Sequence, residues 1–245
     1  MSRIAIVSAM REELRALLPL LQDARVERRA GRECHLGRID GRDVALVLCG
    51  IGKVAAATTA ALLLDAFDVR ALLLTGVAGG LGADVQVGDV VIARSLLQHD
   101  MDASPLFPRY EVPLTGRSRF AADAVMCDAL TLGCSRVLQA PHAALARLGI
   151  DRPRLHAGLV ISGDRFVATA AESAVLREAL PDALAVEMEG AAVAQVCADF
   201  ERPFAVLRTV SDRADDAAHV DFARFIAEVA AEFSRDIVRA TLARL

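Results

Sequence analysis

The chain has 245 residues, 54% of them apolar and 24% charged, which excludes a disordered polypeptide and fits a single α/β domain. Set against 28 basic residues, 32 acidic ones leave a net charge of −4, so nothing in the charge draws a nucleic-acid backbone or an anionic membrane. The five cysteines, Cys34, Cys49, Cys127, Cys134 and Cys197, are odd in number and form no C-x-x-C, which predicts buried thiols in a reducing compartment.

The apolar run Ile4–Met10 is too short for a secretory signal, and Asp65, Asp68 and Arg70 interrupt the longest membrane-span candidate. A cytoplasmic protein is the expectation. All basic residues but Lys53 are arginine, and asparagine is absent.

In chain order, Ile4–Ser8 reads as a buried strand and Arg11–Leu21 as a helix. Val44–Cys49 is a second strand and Ile51–Ala66 an Ala/Leu-rich helix. Ala71–Thr75 reads as a strand that ends in the glycines Gly76, Gly79, Gly80 and Gly82. Strands follow at Val87–Ser95, Leu159–Ser162 and Phe204–Thr209, and helices at Ala170–Leu180 and Met188–Asp199. Alternation of this kind predicts a largely buried sheet covered by helices on both faces. Phe222, Ile226, Val229, Phe233 and Ile237 recur at helical spacing, which predicts a helix docked on the core and opened by Asp221 as N-cap. His99–Arg119, with three prolines, reads as a long irregular loop of the kind found at functional sites and interfaces.

Three familiar motifs fail. Gly50-Ile51-Gly52-Lys53 resembles a phosphate-binding loop, but Val47 and Val54 stand where that loop needs glycine and a hydroxyl. Gly76–Gly82 resembles a dinucleotide loop, yet it runs into Ala83–Asp89, which reads as turn and strand rather than helix. His99-Asp100-Met101-Asp102 has metal-ligand residue types, but such side chains on a loop more often bond locally. No metal or cofactor is expected.

What remains is a set of acids at strand ends, where open α/β sheets place their ligands. Glu12 and Glu13 follow the first strand, Glu187 and Glu189 flank Met188, and Ser211-Asp212 follows the last strand. One such acid is ordinarily a helix cap; three groups together point to chemistry.

These residues carry a family resemblance over nearly the whole chain. Ser8–Glu13, Gly50–Ala56, Thr75–Gly80, His99–Asp102, Ser162–Phe166, Val186–Gly190 and Arg208–Asp212 are similar, in order, to segments of the 5'-methylthioadenosine/S-adenosylhomocysteine nucleosidases of the nucleoside phosphorylase superfamily. The resemblance implies one domain over residues 1–245, a three-layer α/β/α architecture with a central mixed sheet, and a homodimer. It implies an adenine nucleoside as substrate and cleavage of its N-glycosidic bond through a ribosyl cation-like transition state.

In that scheme Glu13 activates water with help from Arg208, and Asp212 protonates N7 of the leaving base. Val77, Ala78, Gly79 and Ser211 line the site. Phe166 stacks on adenine, the Val167 backbone reads its edge, Met188 and Glu189 hold the ribose hydroxyls, and Glu187 is a further substrate-binding residue. Phe107 would wall the 5'-pocket, from its own subunit or across the dimer. Many members carry serine where this chain has Val77, so water is held here without that hydroxyl. The rivals are a phosphate-dependent phosphorylase on the same fold, a nucleosidase acting on 6-amino-6-deoxyfutalosine, and a nucleoside-binding protein without turnover.

Overall fold

A computed structural model describes residues 3–245, apart from the side chains at positions 220, 227 and 228. Strand β1 (Arg3–Ser8) is buried from Ile4 onward. Helix α1 (Arg11–Leu17) follows after two residues, and the Glu13 carboxylate caps it by accepting the Met10 N–H at 3.1 Å. The helix is shorter than its expected Arg11–Leu21 span. Pro19 has no N–H to continue the ladder, and Leu18–Leu20 tighten into a 3₁₀ turn.

Strands β2 (Gln22–Arg29), β3 (Arg32–Ile39) and β4 (Arg42–Leu48) form an antiparallel meander. Its two turns are Ala30-Gly31 and Asp40-Gly41, all four residues with positive φ, the geometry that matches the twist of paired strands. The sequence reading holds only β4 of these three. β2 is an exposed edge made mostly of charged residues, so it shows no hydrophobic alternation.

Next come α2 (Lys53–Ala66), β5 (Val69–Gly80), β6 (Val90–Gln98), β7 (Phe120–Ala121), α3 (Ala124–Val137) and α4 (Ala143–Ala146). Then follow β8 (Leu155–Ser162), α5 (Ala170–Ala179), β9 (Ala183–Glu187), α6 (Gly190–Asp199) and β10 (Phe204–Asp212). The chain closes with α7 (Ala218–Phe225), one wide π turn (Ile226–Ala230) and α8 (Ala231–Leu242). Asp221 is therefore inside the helix and not its cap. The N-cap is Ala217, without a side-chain cap, and Asp215 turns the chain into the helix, its side chain accepting the Ala217 N–H at 3.0 Å and its carbonyl the Ala218 N–H at 3.0 Å.

One mixed sheet runs β2-β3-β4-β1-β5 and then curls into a ring, because β5 pairs with both β10 and β9 while β6 and β8 bridge those two. Helices α1, α3 and α8 cover one face, over a core that includes Leu73, Leu207, Phe225 and Phe233. On the other face α2 and α6 pack over Leu72, Leu74, Val206 and Val210. Among the described residues, no helix is long and apolar enough to cross a membrane.

β5 positions the site. The strand does not stop at Gly76 as expected but continues to Gly80, since β10 supplies hydrogen bonds as far as Gly79. On its other edge β1 leaves at Ser8 opposite Thr75, and antiparallel β9 joins at Val186 opposite Gly79. The C-terminal ends of β1 and β9 thus face each other across Gly76, Val77 and Ala78. From Thr75 to Gly79 this opening spans about 13 Å at the usual rise per residue.

Candidate active site

Each rim of the opening contributes carboxylates. Glu13 comes round the end of β1 and is 2% exposed, and Glu12 beside it is only half-buried. The last residue of β9, Glu187, and Glu189 two residues on enter from the opposite rim, both buried. Arg208 lies opposite Gly76 on β10 and is among the largest fully buried side chains of the protein. Its Nη2 bonds Glu187 and reaches Glu189 Oε2 at 3.2 Å. A Cβ at position 76 would collide with Arg208 Nη1 and lie 3.0 Å from Glu13 Oε1, so only glycine lets the guanidinium and Glu13 meet there.

Glu187 is saturated. It accepts the Ser162 hydroxyl, the Gly190 N–H at 2.8 Å and the Glu189 N–H at 3.1 Å, besides Arg208. Glu13 and Glu189 accept fewer bonds and keep acceptor capacity to face a ligand. Burial pushes Glu13 up to about 7 against the pull of Arg208, and burial likewise brings Glu189 to about 7. Burial works against the charge of Arg208 too, but the three carboxylates outweigh it and hold the guanidinium protonated.

At the far end Asp212 is 2% exposed and, among the described residues, makes no ion pair. Its Oδ2 accepts the Ser211 hydroxyl at 2.8 Å and its Oδ1 the Ala214 N–H at 2.9 Å. Burial raises its pKa, and those two donors offset the rise only in part.

Between the two ends lies a cleft with an empty volume of about 510 Å³, its open mouth included. Val77, Ala78, Gly79, Phe166, Met188 and Ser211 line it together with Glu13, Glu187, Glu189, Arg208 and Asp212. Val167 borders an adjoining recess with Phe166, Gly79 and Asp212. Of the site residues that the family resemblance implies, only Phe107 lies outside both. It is half-buried on the irregular loop.

Sequence reasoning missed Met10, Ile51 and Phe222, which also line the cleft. Phe222 reads as a core residue by its helical spacing, yet it meets Phe166 edge to face at 5.5 Å on the cleft wall. Ile51 carried a readable signal, a large apolar side chain held 58% exposed between two glycines. Of the His99–Asp102 acids, Asp102 bonds locally, accepting the Ser104 N–H at 3.0 Å, while Asp100 reaches across the fold to Lys53 and to the Asp164 N–H. Among the described residues no group of three or more His, Cys, Asp or Glu could hold a metal ion.

The arrangement has two functions available to it: a carboxylate beside a guanidinium at one end, able to take a proton near neutrality, and a carboxylic acid at the other, able to give one. The model of the family described as "Phosphorylase superfamily" matches residues 3–243. A 5'-methylthioadenosine/S-adenosylhomocysteine nucleosidase of Hydrogenovibrio crunogenus is 36% identical over 238 residues, 96% of each chain. The structure of such a nucleosidase from Neisseria meningitidis, in complex with methylthio-immucillin-A, superposes with a TM-score of 0.87 at 33% identity over 100% of both chains. A futalosine hydrolase mutant of Helicobacter pylori superposes at 0.86 with 30% identity, again over 100% of both chains.

Proposed function

The chain belongs to the phosphorylase superfamily, and from that premise we propose that it hydrolyses the N-glycosidic bond of 5'-methylthioadenosine and S-adenosylhomocysteine. The observation that carries this reading is the pairing of unlike carboxylates across one cleft, Glu13 against Arg208 and Asp212 against hydroxyl and amide donors alone.

Adenine lies at the Asp212 end, stacked by Phe166 and read at its edge by the Val167 backbone. Asp212 gives its proton to N7 as the C1'–N9 bond breaks, so the base leaves neutral. Water attacks C1' and passes a proton to Glu13, and a 5-thioribose is released. Glu13 in its charged form also stabilises the positive charge developing on the ribosyl ring. Arg208 Nε, buried and without a partner among the described residues, donates to the attacking water, a duty that Val77 cannot share. Glu189 and the Met188 backbone hold the ribose hydroxyls. Glu187 acts behind them, fixing Arg208 and the start of α6. The apolar side chains of Met10, Ile51 and Phe222 suit a thioether at C5'.

Phosphate is a poor nucleophile for this cleft. The lone guanidinium on its wall is already shared among three buried carboxylates, which repel a dianion. Phe107, which lies outside its own cleft, closes the 5'-pocket of a partner copy in a homodimer. With all five cysteines free and buried, we place the enzyme in the reducing cytoplasm, in methionine salvage.

Adenine release from 5'-methylthioadenosine, measured with and without phosphate, tests the reading. Release in phosphate-free buffer is expected, at a higher kcat/KM than on 6-amino-6-deoxyfutalosine. Strict dependence on phosphate, or no release at all, would overturn it.

A further inference from the structure

Three segments marked in the sequence, Gly50–Lys53, His99–Asp102 and Ser162–Phe166, each hold a charged residue with no part in the mechanism above: Lys53, Asp100 and Asp164. They converge on one side chain. Lys53 is the sole lysine among 28 basic residues, and it occupies the first position of α2, where a positive charge opposes the helix dipole. A cation placed against that preference has another role. Its side chain is 16% exposed, and its Nζ donates to Asp100 Oδ1 at 2.6 Å and to Gln98 Oε1 at 3.0 Å. Asp100 Oδ2 accepts the Asp164 N–H at 2.9 Å, and Asp164 Oδ1 accepts the Lys53 N–H at 2.7 Å. Burial alone would raise Asp100, but Lys53 and the Asp164 N–H hold it below the usual carboxylate range, so the pair is ionic.

The closed circuit fixes the peptide before Lys53. Gly52 has φ +97°, open to glycine alone, and a Cβ there would lie 3.1 Å from Asp164 Oδ1. In this pose the Gly52 N–H donates to Glu189 Oε1 at 2.9 Å. Glu189 thus has one oxygen held by Gly52 and the other by Arg208, and its orientation depends on both.

We propose that Lys53 is a positioning residue: through Asp100 and Asp164 it locks the Gly52 N–H onto Glu189 and so aims the carboxylate that recognises the ribose hydroxyls. This rests on the function proposed above for Glu189. The lock ties the loop bearing Ile51 to the loop bearing Phe166, and both of these side chains line the cleft. A clamp that served only the fold would matter equally to any ligand of the cleft. A clamp that aims Glu189 matters most to a ligand with hydroxyls for it to grip.

The test is binding of an uncleavable adenine C-nucleoside and of its 2',3'-dideoxy form to wild type, Lys53→Met and Asp100→Asn. Methionine keeps the length of the stem without the charge, and asparagine keeps the shape of its partner. Lys53→Met is expected to weaken the ribonucleoside about 10-fold and the dideoxy form less than about 2-fold, the size of one hydrogen bond to a charged group. Asp100→Asn is expected to move the same ratio in the same direction by less, which serves should the methionine variant fail to fold. The double variant should lose no more than Lys53→Met alone, because both act through one circuit.

Equal weakening of both ligands, or effects that add in the double variant, would overturn the role of Lys53. Binding is read without turnover, so a wild-type protein that releases no adenine would count against the proposed reaction and not against the lock.

Discussion

The two ends of the cleft leave their carboxylates equally little exposed and give them different company. Glu13 and Asp212 are each 2% exposed. At the Glu13 end a fully buried guanidinium pulls against the burial, and the acid settles near 7, ready to be ionised in the neutral range. At the Asp212 end the donors among the described residues are one hydroxyl and one amide, and burial raises the carboxyl. Equal exposure therefore does not mean equal chemistry, because the charge beside each carboxylate differs.

The largest expected effect comes from removing the proton at the uncompensated end. Asp212→Asn keeps the size and can still accept the Ala214 N–H, with its amide donating to the Ser211 hydroxyl in place of accepting from it. It has no acidic proton for N7, however, so kcat should fall about 10³-fold or more in steady-state adenine release. Affinity for an uncleavable nucleoside should change far less.

At the other end Glu13→Gln should lower kcat by at least about 10², the usual worth of a positioned base. If Glu12→Gln proves the more damaging of the two, the base has been assigned to the wrong residue. The half-buried position of Glu12 argues against that outcome.

Arg208→Met should shift the pH profile rather than only depress it. Glu13 must be unprotonated to accept the proton from water, so kcat/KM of the wild type should fall as pH drops through about 7. The guanidinium is the main group lowering Glu13, so its loss should move this acid limb to higher pH. A limb that stays in place would mean that Arg208 does not govern the base.

The smallest effect is on stability. The folded-state pKa of Glu13 lies above its ordinary value of 4.5, so the contribution of this group is most favourable below that value and is lost as pH rises through about 7. At pH 8 Glu13→Gln should therefore raise the Tm, by the equivalent of up to about 3 kcal/mol. At pH 4.5 the two proteins should melt together.

How much of this was readable in the sequence depended on the kind of signal. Strands buried on both faces, such as Ile4–Ser8 and Phe204–Thr209, show as apolar runs and were placed within a few residues. β2 carries almost no apolar residues, and its evidence lay in the Ala30-Gly31 and Asp40-Gly41 turns. α3 left a legible cap, since Asp123 accepts the Met126 N–H at 2.8 Å, but its apolar stripe is weak.

In the site, the acids stood out because packing alone does not place Glu13, Glu189 and Asp212 next to small residues at strand ends. The partnership of Glu187 with Ser162 and the circuit through Lys53 join positions 25 and 47 residues apart in the chain. Both depend on how β8, β9 and the ring closure bring loops together, which no local pattern encodes.

The central claim is that Asp212 acts as the acid for the leaving base. The direct measurement compares wild type and Asp212→Asn on two substrates: 5'-methylthioadenosine, and a 5-thioriboside of p-nitrophenol, whose leaving group departs as a stable anion. The expected result is a loss of several powers of ten on the nucleoside and less than about 10-fold on the nitrophenyl compound. Equal losses on both substrates, in a variant that stays folded and binds an uncleavable nucleoside, would contradict it.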